Sequence, residues 1–222
     1  AKAGLFMKFD IIPPVSGLHF MIRFDVVTIF PDLFKGFLTE SLLARAQKPA
    51  RGGSASGGKQ PLLVIKTHNL RKWTTDKHKT VDDRPYGGGA GMVLKVEPIY
   101  RAVKDIVVPR RKTSRDLRKK NHSRVILLSA KGHVFTQKDA RRLAKHEQLI
   151  FICGRYEGVD ERAKKFIDQE LSIGDFVVTG GEIPAMLVTD AVVRLLKGVL
   201  KEGVTANESF SPLLEYPQYT KP

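Results

Sequence analysis

From Phe24 to Lys197 the chain alternates short apolar runs with stretches whose apolar residues recur every three or four positions. Phe24–Phe30 (FDVVTIF) is an apolar run halted by Pro31, the pattern of a buried strand. Over Asp32–Gln47, residues Leu33, Phe34, Phe37, Leu38 and Leu42 fall at helical spacing and predict one amphipathic helix. Leu62–His68 predicts a second strand, and Val96–Val108 a helix with Pro98 near its first turn, where proline is tolerated. The alternation then becomes regular. Val125–Ser129, Leu149–Cys153 and Phe176–Thr179 read as strands. Between and after them lie helices from Thr136 to about Glu147, from Asp160 to about Ile167, and from Pro184 to Lys197, the last ending near Gly198. Thr136 has Asp139 at the capping-box distance. Strands alternating with helices predict an α/β fold with an open, mainly parallel sheet.

The segments between these elements carry most of the unusual composition. Asn69–Gly91 is long, polar and glycine-rich without periodicity, and such loops in compact domains are usually functional or disordered. Pro109–Arg124 (PRRKTSRDLRKKNHSR) is a basic connector suited to phosphates or to a solvated link. Gly53–Gln60 (GSASGGKQ) has the glycines and lysine of a phosphate-binding P-loop. It lacks the Ser or Thr for magnesium and precedes a strand, so it reads as a surface loop. The net charge of +15 across 222 residues points to a polyanionic partner, nucleic acid first. The single cysteine, Cys153, excludes an internal disulfide and a cysteine-rich zinc site, fits a reducing, cytoplasmic setting, and reads as a buried thiol at the end of an apolar run. No apolar run approaches the length of a membrane span.

Three stretches carry candidate chemistry. Thr74–Met92 (TTDKHKTVDDRPYGGGAGM) offers a glycine nest or flap, with Asp82 and Asp83 beside Arg84. Its Asp76, His78, Asp82 and Asp83 match no standard zinc or calcium spacing. Cys153–Arg162 (CGRYEGVDER) ends a strand in glycine and follows at once with Tyr156 and Glu157, where open α/β sheets bind ligands. Ser172–Ala185 (SIGDFVVTGGEIPA) has the same form. No Lys or Arg occurs from Phe166 to Val193, while Asp168, Glu170, Asp175, Glu182 and Asp190 do, which disfavours a phosphate ligand. No strand is followed by GxGxxG, and no G-x-S-x-G or H-E-x-x-H occurs.

Taken together, FDVVTIFPDLF, TDKHKTVDDRPYGGGAGM, CGRYEGVDER, SIGDFVVTGGEIPA, DAVVRLLKGVL and SFSPLLEYPQY resemble the bacterial tRNA (guanine-37-N1)-methyltransferases of the SPOUT superfamily, from Met21 to Pro222. The resemblance implies a SPOUT-type sheet with a deep C-terminal trefoil knot. It also implies a homodimer with active sites at the interface, and methyl transfer from S-adenosylmethionine to N1 of the guanosine 3′ of the anticodon of tRNA, assisted by magnesium. Residues 21–200 would form the methyltransferase domain, 1–20 an extension, and 201–222 a linker and the start of a tRNA-binding domain truncated or absent here. The other readings are a non-catalytic basic RNA-binding protein and a SPOUT methyltransferase with another target nucleotide.

Position by position, the resemblance assigns the cofactor site to Leu127, Leu128 and Ser129, to Gly154, Tyr156 and Glu157, and to Ser172, Ile173, Gly174, Asp175, Phe176, Val177, Val178, Gly180 and Gly181. Asp82, Arg84, Gly89 and Gly91 would lie near cofactor and RNA. Arg194 would meet the target guanosine, and Glu208 stands where the family usually has its catalytic aspartate. Ala90 replaces the proline of a GGGPG pattern, and Ala130-Lys131 replaces Pro-Gln after Ser129. The metal site is not assigned by sequence. Guanine N1 must lose a proton before it attacks, so Glu208 is the expected general base, with Arg194 or magnesium stabilising charge on O6.

Overall fold

A computed structural model describes residues 21–49, 61–107, 123–206, 208–210 and 214–221. The N-terminal extension, nearly all of the loop containing GSASGGKQ, and the basic connector up to its last two residues lie outside the described residues. Five parallel strands form one sheet in the order β2-β1-β6-β5-β7: β1 Ile22–Thr28, β2 Leu63–Asn69, β5 Ser123–Val134, β6 Gln148–Cys153 and β7 Gln169–Ser172. Two short strands, β3 Asp82–Asp83 and β4 Val93–Leu94, pair antiparallel beside it. The mainly parallel α/β fold expected from sequence is therefore present.

Parallel sheets are covered on both faces, so their strands are apolar on both sides. Alternation sorts them. Phe24, Phe151, Ile126 and Leu128 point into one core with Val188 and Val192 of α5 (Glu182–Val193) and Leu143 of α4 (Gln137–Leu143). Val27, Ile150, Ile152, Val125 and Leu127 point into the other, against Ile99, Ala102 and Val103 of α3 (Val96–Ile106). Phe24 and Phe151 stack at 6.3 Å between ring centroids. Thr136 caps α4 as predicted, with Thr136 and Asp139 forming both bonds of the capping box.

Two expectations are corrected. The helix predicted over Asp32–Gln47 is broken into a 3-10 turn Pro31–Phe34, α1 Lys35–Thr39 and α2 Ser41–Ala46. Glu40 is extended and Ser41 has φ +55°, a left-handed conformation through which no helix continues. The Gln47 amide donates to Leu38 O at 3.0 Å and Leu43 O at 3.2 Å, satisfying carbonyls on both sides of the break. The strand predicted at Phe176–Thr179 does not form. The strand is Gln169–Ser172, whose polar start hides it, and Phe176 and Val177 stand 56% and 88% exposed. An apolar run has the same signature whether a sheet or a ligand and partner surface receives it.

Candidate active site

The carboxyl ends of β5, β6 and β7 open into a cavity of about 210 Å³. Three loops build it. After Leu128 the strand β5 bows outward, and both Leu128 and His133 face Leu171 of β7. The intervening Ser129, Ala130 and Lys131 line the cavity. The loop closes by passing Gly132 against the β7 backbone, where an added Cβ would lie 2.5 Å from the Glu170 carbonyl carbon. The second loop follows β6 and contributes Gly154, Arg155, Tyr156 and Glu157. Tyr156 takes φ +57°, a backbone state that a bulky residue seldom holds outside functional sites. The third runs from β7 to α5 and contributes Ser172, Ile173, Phe176, Val177, Val178, Gly180 and Gly181.

The residues assigned to the cofactor thus converge, with two exceptions. Gly174 and Asp175 lie between lining residues without lining the cavity themselves. Gly174 is tied to Ser172, whose hydroxyl donates to Gly174 O at 2.9 Å and accepts from Gly174 N at 3.2 Å. Gly181 is required by close approach: a Cβ there would lie 2.6 Å from Cys153 Cα, and its N–H donates to Gly154 O at 2.8 Å.

Asp82, Arg84, Gly89 and Gly91 do not line the cavity. Their segment is laced to the second loop: Glu157 N donates to Met92 O at 3.0 Å, and Leu94 N to Gly158 O at 3.0 Å. Gly91 abuts the Glu157 side chain, and partial burial together with the Asp82 carboxylate pushes the Tyr156 hydroxyl upward. Arg84 and Gly89 are exposed. The loose cluster of Asp76, His78, Asp82 and Asp83 does not assemble. Asp76 accepts from Thr80 N and Oγ1 to close its own turn, and Asp83 faces Lys95 at 3.5 Å. Among the described residues no group of three or more His, Cys, Asp or Glu is placed to hold a metal ion.

The five acids of the cationless stretch Phe166–Val193 do not gather in the cavity. Asp168 faces Arg124 and accepts from Val125 N, Glu182 is buried against Arg155, and only Glu170 of the five acids lines the cavity. The other lining acids, Glu157 and Glu161, come from the second loop and the turn after it, because sequence proximity does not fix which way a side chain faces. Sequence reasoning missed Lys131 and Arg155 as lining cations. The Arg155 guanidinium is already engaged, by Glu182 Oε2 at 2.9 Å and Thr179 O at 3.3 Å. Its signal was its place in CGRYEG, directly after an apolar run that ends in a glycine. Cys153 is buried and its thiol is pushed well up by that burial, as expected of an inert cysteine.

Arg194 and Glu208 are brought together away from this cavity. Arg194 caps the C-terminus of α5 and donates from Nη2 to Glu208 Oε2 at 2.6 Å. Glu208 is 7% exposed, and its Oε1 is buried with no hydrogen-bond partner among the described residues.

The fold and cavity define an α/β protein that binds its ligand beyond the carboxyl ends of parallel strands, in glycine-bent loops. The family model for tRNA (Guanine-1)-methyltransferase TrmD matches residues 22–222. The chain is 52% identical over 204 residues to the tRNA (guanine-N(1)-)-methyltransferase of Dictyoglomus turgidum, covering 91% of this chain and 74% of that one. It is 48% identical over 204 residues to the enzyme of that name from Heliobacterium modesticaldum, covering 90% and 70%. The crystal structure of tRNA (m1G37) methyltransferase from Aquifex aeolicus superposes with a TM-score of 0.68 at 37% identity, covering 91% of this chain and 77% of that one. The chain belongs to the tRNA (guanine-1)-methyltransferase family.

Proposed function

We propose that the protein transfers a methyl group from S-adenosylmethionine to N1 of guanosine 37 in tRNA. The observation that carries this reading is the convergence of the three loops on one cavity in a chain of this family. The lining suits the donor. Apolar Leu127, Ile173 and Val178 and bare backbone at Gly154 and Gly180 can receive an adenine. Glu157, Glu161 and Glu170 favour a cation, and of the two lining cations Arg155 is already held by a carboxylate, which leaves Lys131 alone to serve a phosphate. When bound, S-adenosylmethionine supplies an electrophilic methyl group on a cationic sulfur.

The residues Arg194 and Glu208 act on the guanine. Glu208 Oε1, buried and without a donor among the described residues, accepts the proton from N1. Arg194 holds Oε2 and stabilises the negative charge that develops on O6. The loops orient nucleophile, methyl carbon and sulfur in line. Magnesium is expected from the resemblance, yet the described residues do not form a three-ligand cluster, and no step above passes through it.

The reading includes a homodimer and a trefoil knot. Phe176 and Val177, which line the cavity, and Ile183 and Leu187 of α5 are exposed, while Arg194 and Glu208 do not line it in one chain. A second protomer that covers the apolar side chains and brings its Arg194–Glu208 pair to the cavity accounts for both. The knot is supported by the β5 loop closing over β7 at Gly132 and by the chain at Gly180–Gly181 bridging back onto Gly154–Arg155.

The test is methyl transfer to unmodified tRNA carrying guanosine at position 37, with the product mapped by reverse-transcription stops. A stop at that guanosine is expected, and methylation elsewhere would reassign the target. Saturable binding of S-adenosylmethionine separates an enzyme from a non-catalytic RNA-binding protein.

A further inference from the structure

The chain leaving β7 crosses from Ser172 to Gly181 without a strand partner for Phe176–Val178, so few contacts fix its shape. One anchor is the Ser172–Gly174 turn. The other is a buried network at the far end. Glu182, the first residue of α5, is 1% exposed and uses both carboxylate oxygens: Oε1 accepts from Thr28 Oγ1 at 2.6 Å and Oε2 from Arg155 Nε at 2.9 Å. The Thr28 hydroxyl in turn accepts from Phe30 N at 2.9 Å, and the Arg155 guanidinium lies 4.7 Å from the centre of the Phe30 ring. Arg155 also donates from Nη1 to Thr179 O at 3.3 Å and forms an antiparallel bridge with Gly180. A Cβ at Gly180 would lie 2.5 Å from Arg155 Cδ and 2.7 Å from Glu182 Oε2, so the loop is moulded on this pair.

We propose that Arg155 and Glu182 are positioning residues. Their ion pair, with Glu182 buried and braced by Thr28 at the end of β1, holds the Thr179–Gly180 backbone in the shape that closes the methyl-donor cavity. The inference rests on the methyl-donor reading above. Glu182 does not line the cavity, and Arg155, which does, is held by Glu182 and by the Thr179 carbonyl; the role assigned to the pair is to set the geometry of the loop. The partition of roles is specific. Thr179 and Gly180 line the cavity, Glu182 lies behind them, and Arg155 connects the two layers. A pair that served only stability would have no reason to engage the carbonyl of a cavity residue.

The experiment uses the full chain with S-adenosylmethionine as the probe in isothermal titration, and steady-state methyl transfer alongside. Arg155→Lys keeps the buried charges but loses the planar fork that reaches both Glu182 and Thr179. Glu182→Gln keeps shape but loses charge. Each is expected to raise the donor Kd and KM by about tenfold to a hundredfold while kcat at saturating donor stays within about threefold. The double variant should be no worse than the weaker-binding single, since both break one unit. Val188→Ala, a core change on the same helix, lowers the melting temperature and should leave the donor Kd unchanged. If Glu182→Gln loses its cooperative melt, Arg155→Lys carries the test. Unchanged donor Kd in both folded variants, beside saturable binding by the unaltered chain, overturns the positioning role alone. Absence of saturable binding by the unaltered chain overturns the methyl-donor reading and this proposal with it.

Discussion

Arg194 Nη2 donates to Glu208 Oε2 across 2.6 Å, and the other carboxylate oxygen is buried with no partner among the described residues. A buried acceptor left open costs free energy unless something donates to it. The N1–H of a guanine is such a donor, and the arginine beside it holds the carboxylate in place through its other oxygen.

Glu208→Gln should therefore lower methyl transfer by about 10² to 10⁴, the usual span for losing a general base. S-adenosylmethionine binding should be nearly unchanged, because the role assigned to Glu208 is toward the guanine and not the donor. Single-turnover rates with saturating tRNA check this. Wild-type rates in a variant that binds both substrates would place the base elsewhere.

Phe151→Ala should cost about 3–5 kcal/mol, since the ring is fully buried on the central strand β6 and stacks on Phe24. In a chain of this size the melting temperature should fall by about 10 °C, read by calorimetry.

The strands carrying Phe24 and Phe151 were legible because a sheet covered on both faces needs apolar residues at successive positions. The Thr136–Asp139 cap was legible because its two bonds are local. Three features were not. Nothing local distinguishes Phe176–Thr179, exposed beside a cavity, from a buried strand. The break at Glu40–Ser41 follows from packing Phe34 and Leu43 into one core from separate short helices, which helical spacing cannot reveal. The engagement of Arg155 by Glu182 joins positions distant in sequence, so composition shows the acid and not its buried partnership. The residues of the candidate site came from family resemblance, and the convergence of most of them on one cavity came from the fold.

Acid should destabilise the protein in two windows. Burial, then the charges of Arg124 and Arg142, hold the His146 imidazole below 6.5 against the opposing Asp168. The unfolded chain takes up this proton first, so stability is full above pH 6.5 and falls as pH drops below it. For Asp25 and Asp139 burial alone would raise the carboxyl. Hydrogen bonds from His68, Arg23 and Gln148 to Asp25, and from Thr136 and His133 to Asp139, outweigh it and leave both below 3.8. Their contribution is full above pH 3.8 and is lost as pH falls through the folded values. Melting temperature against pH should show both declines, and His146→Leu should flatten the upper one alone.

Two glycines should respond in opposite directions to the same added methyl group. At Gly132 a Cβ would sit 2.5 Å from the Leu171 nitrogen and 2.6 Å from its carbonyl carbon. Those are backbone atoms of β7 held in a parallel ladder with β5, so they cannot swing away as a side-chain tip would. Gly132→Ala should therefore destabilise by about 1–3 kcal/mol, the cost of overpacking. It should also weaken S-adenosylmethionine binding, because Ser129, Ala130 and Lys131 must shift with the loop that Gly132 closes. At Gly36, in α1, nothing lies within 4 Å of an added Cβ. Gly36→Ala should stabilise by about 0.5 kcal/mol through reduced freedom of the unfolded chain and leave binding untouched. Denaturant melts and donor titrations on the two variants read both effects. A Gly132→Ala protein that matches the unaltered chain in both would show that the β5 loop is not packed against β7 as described.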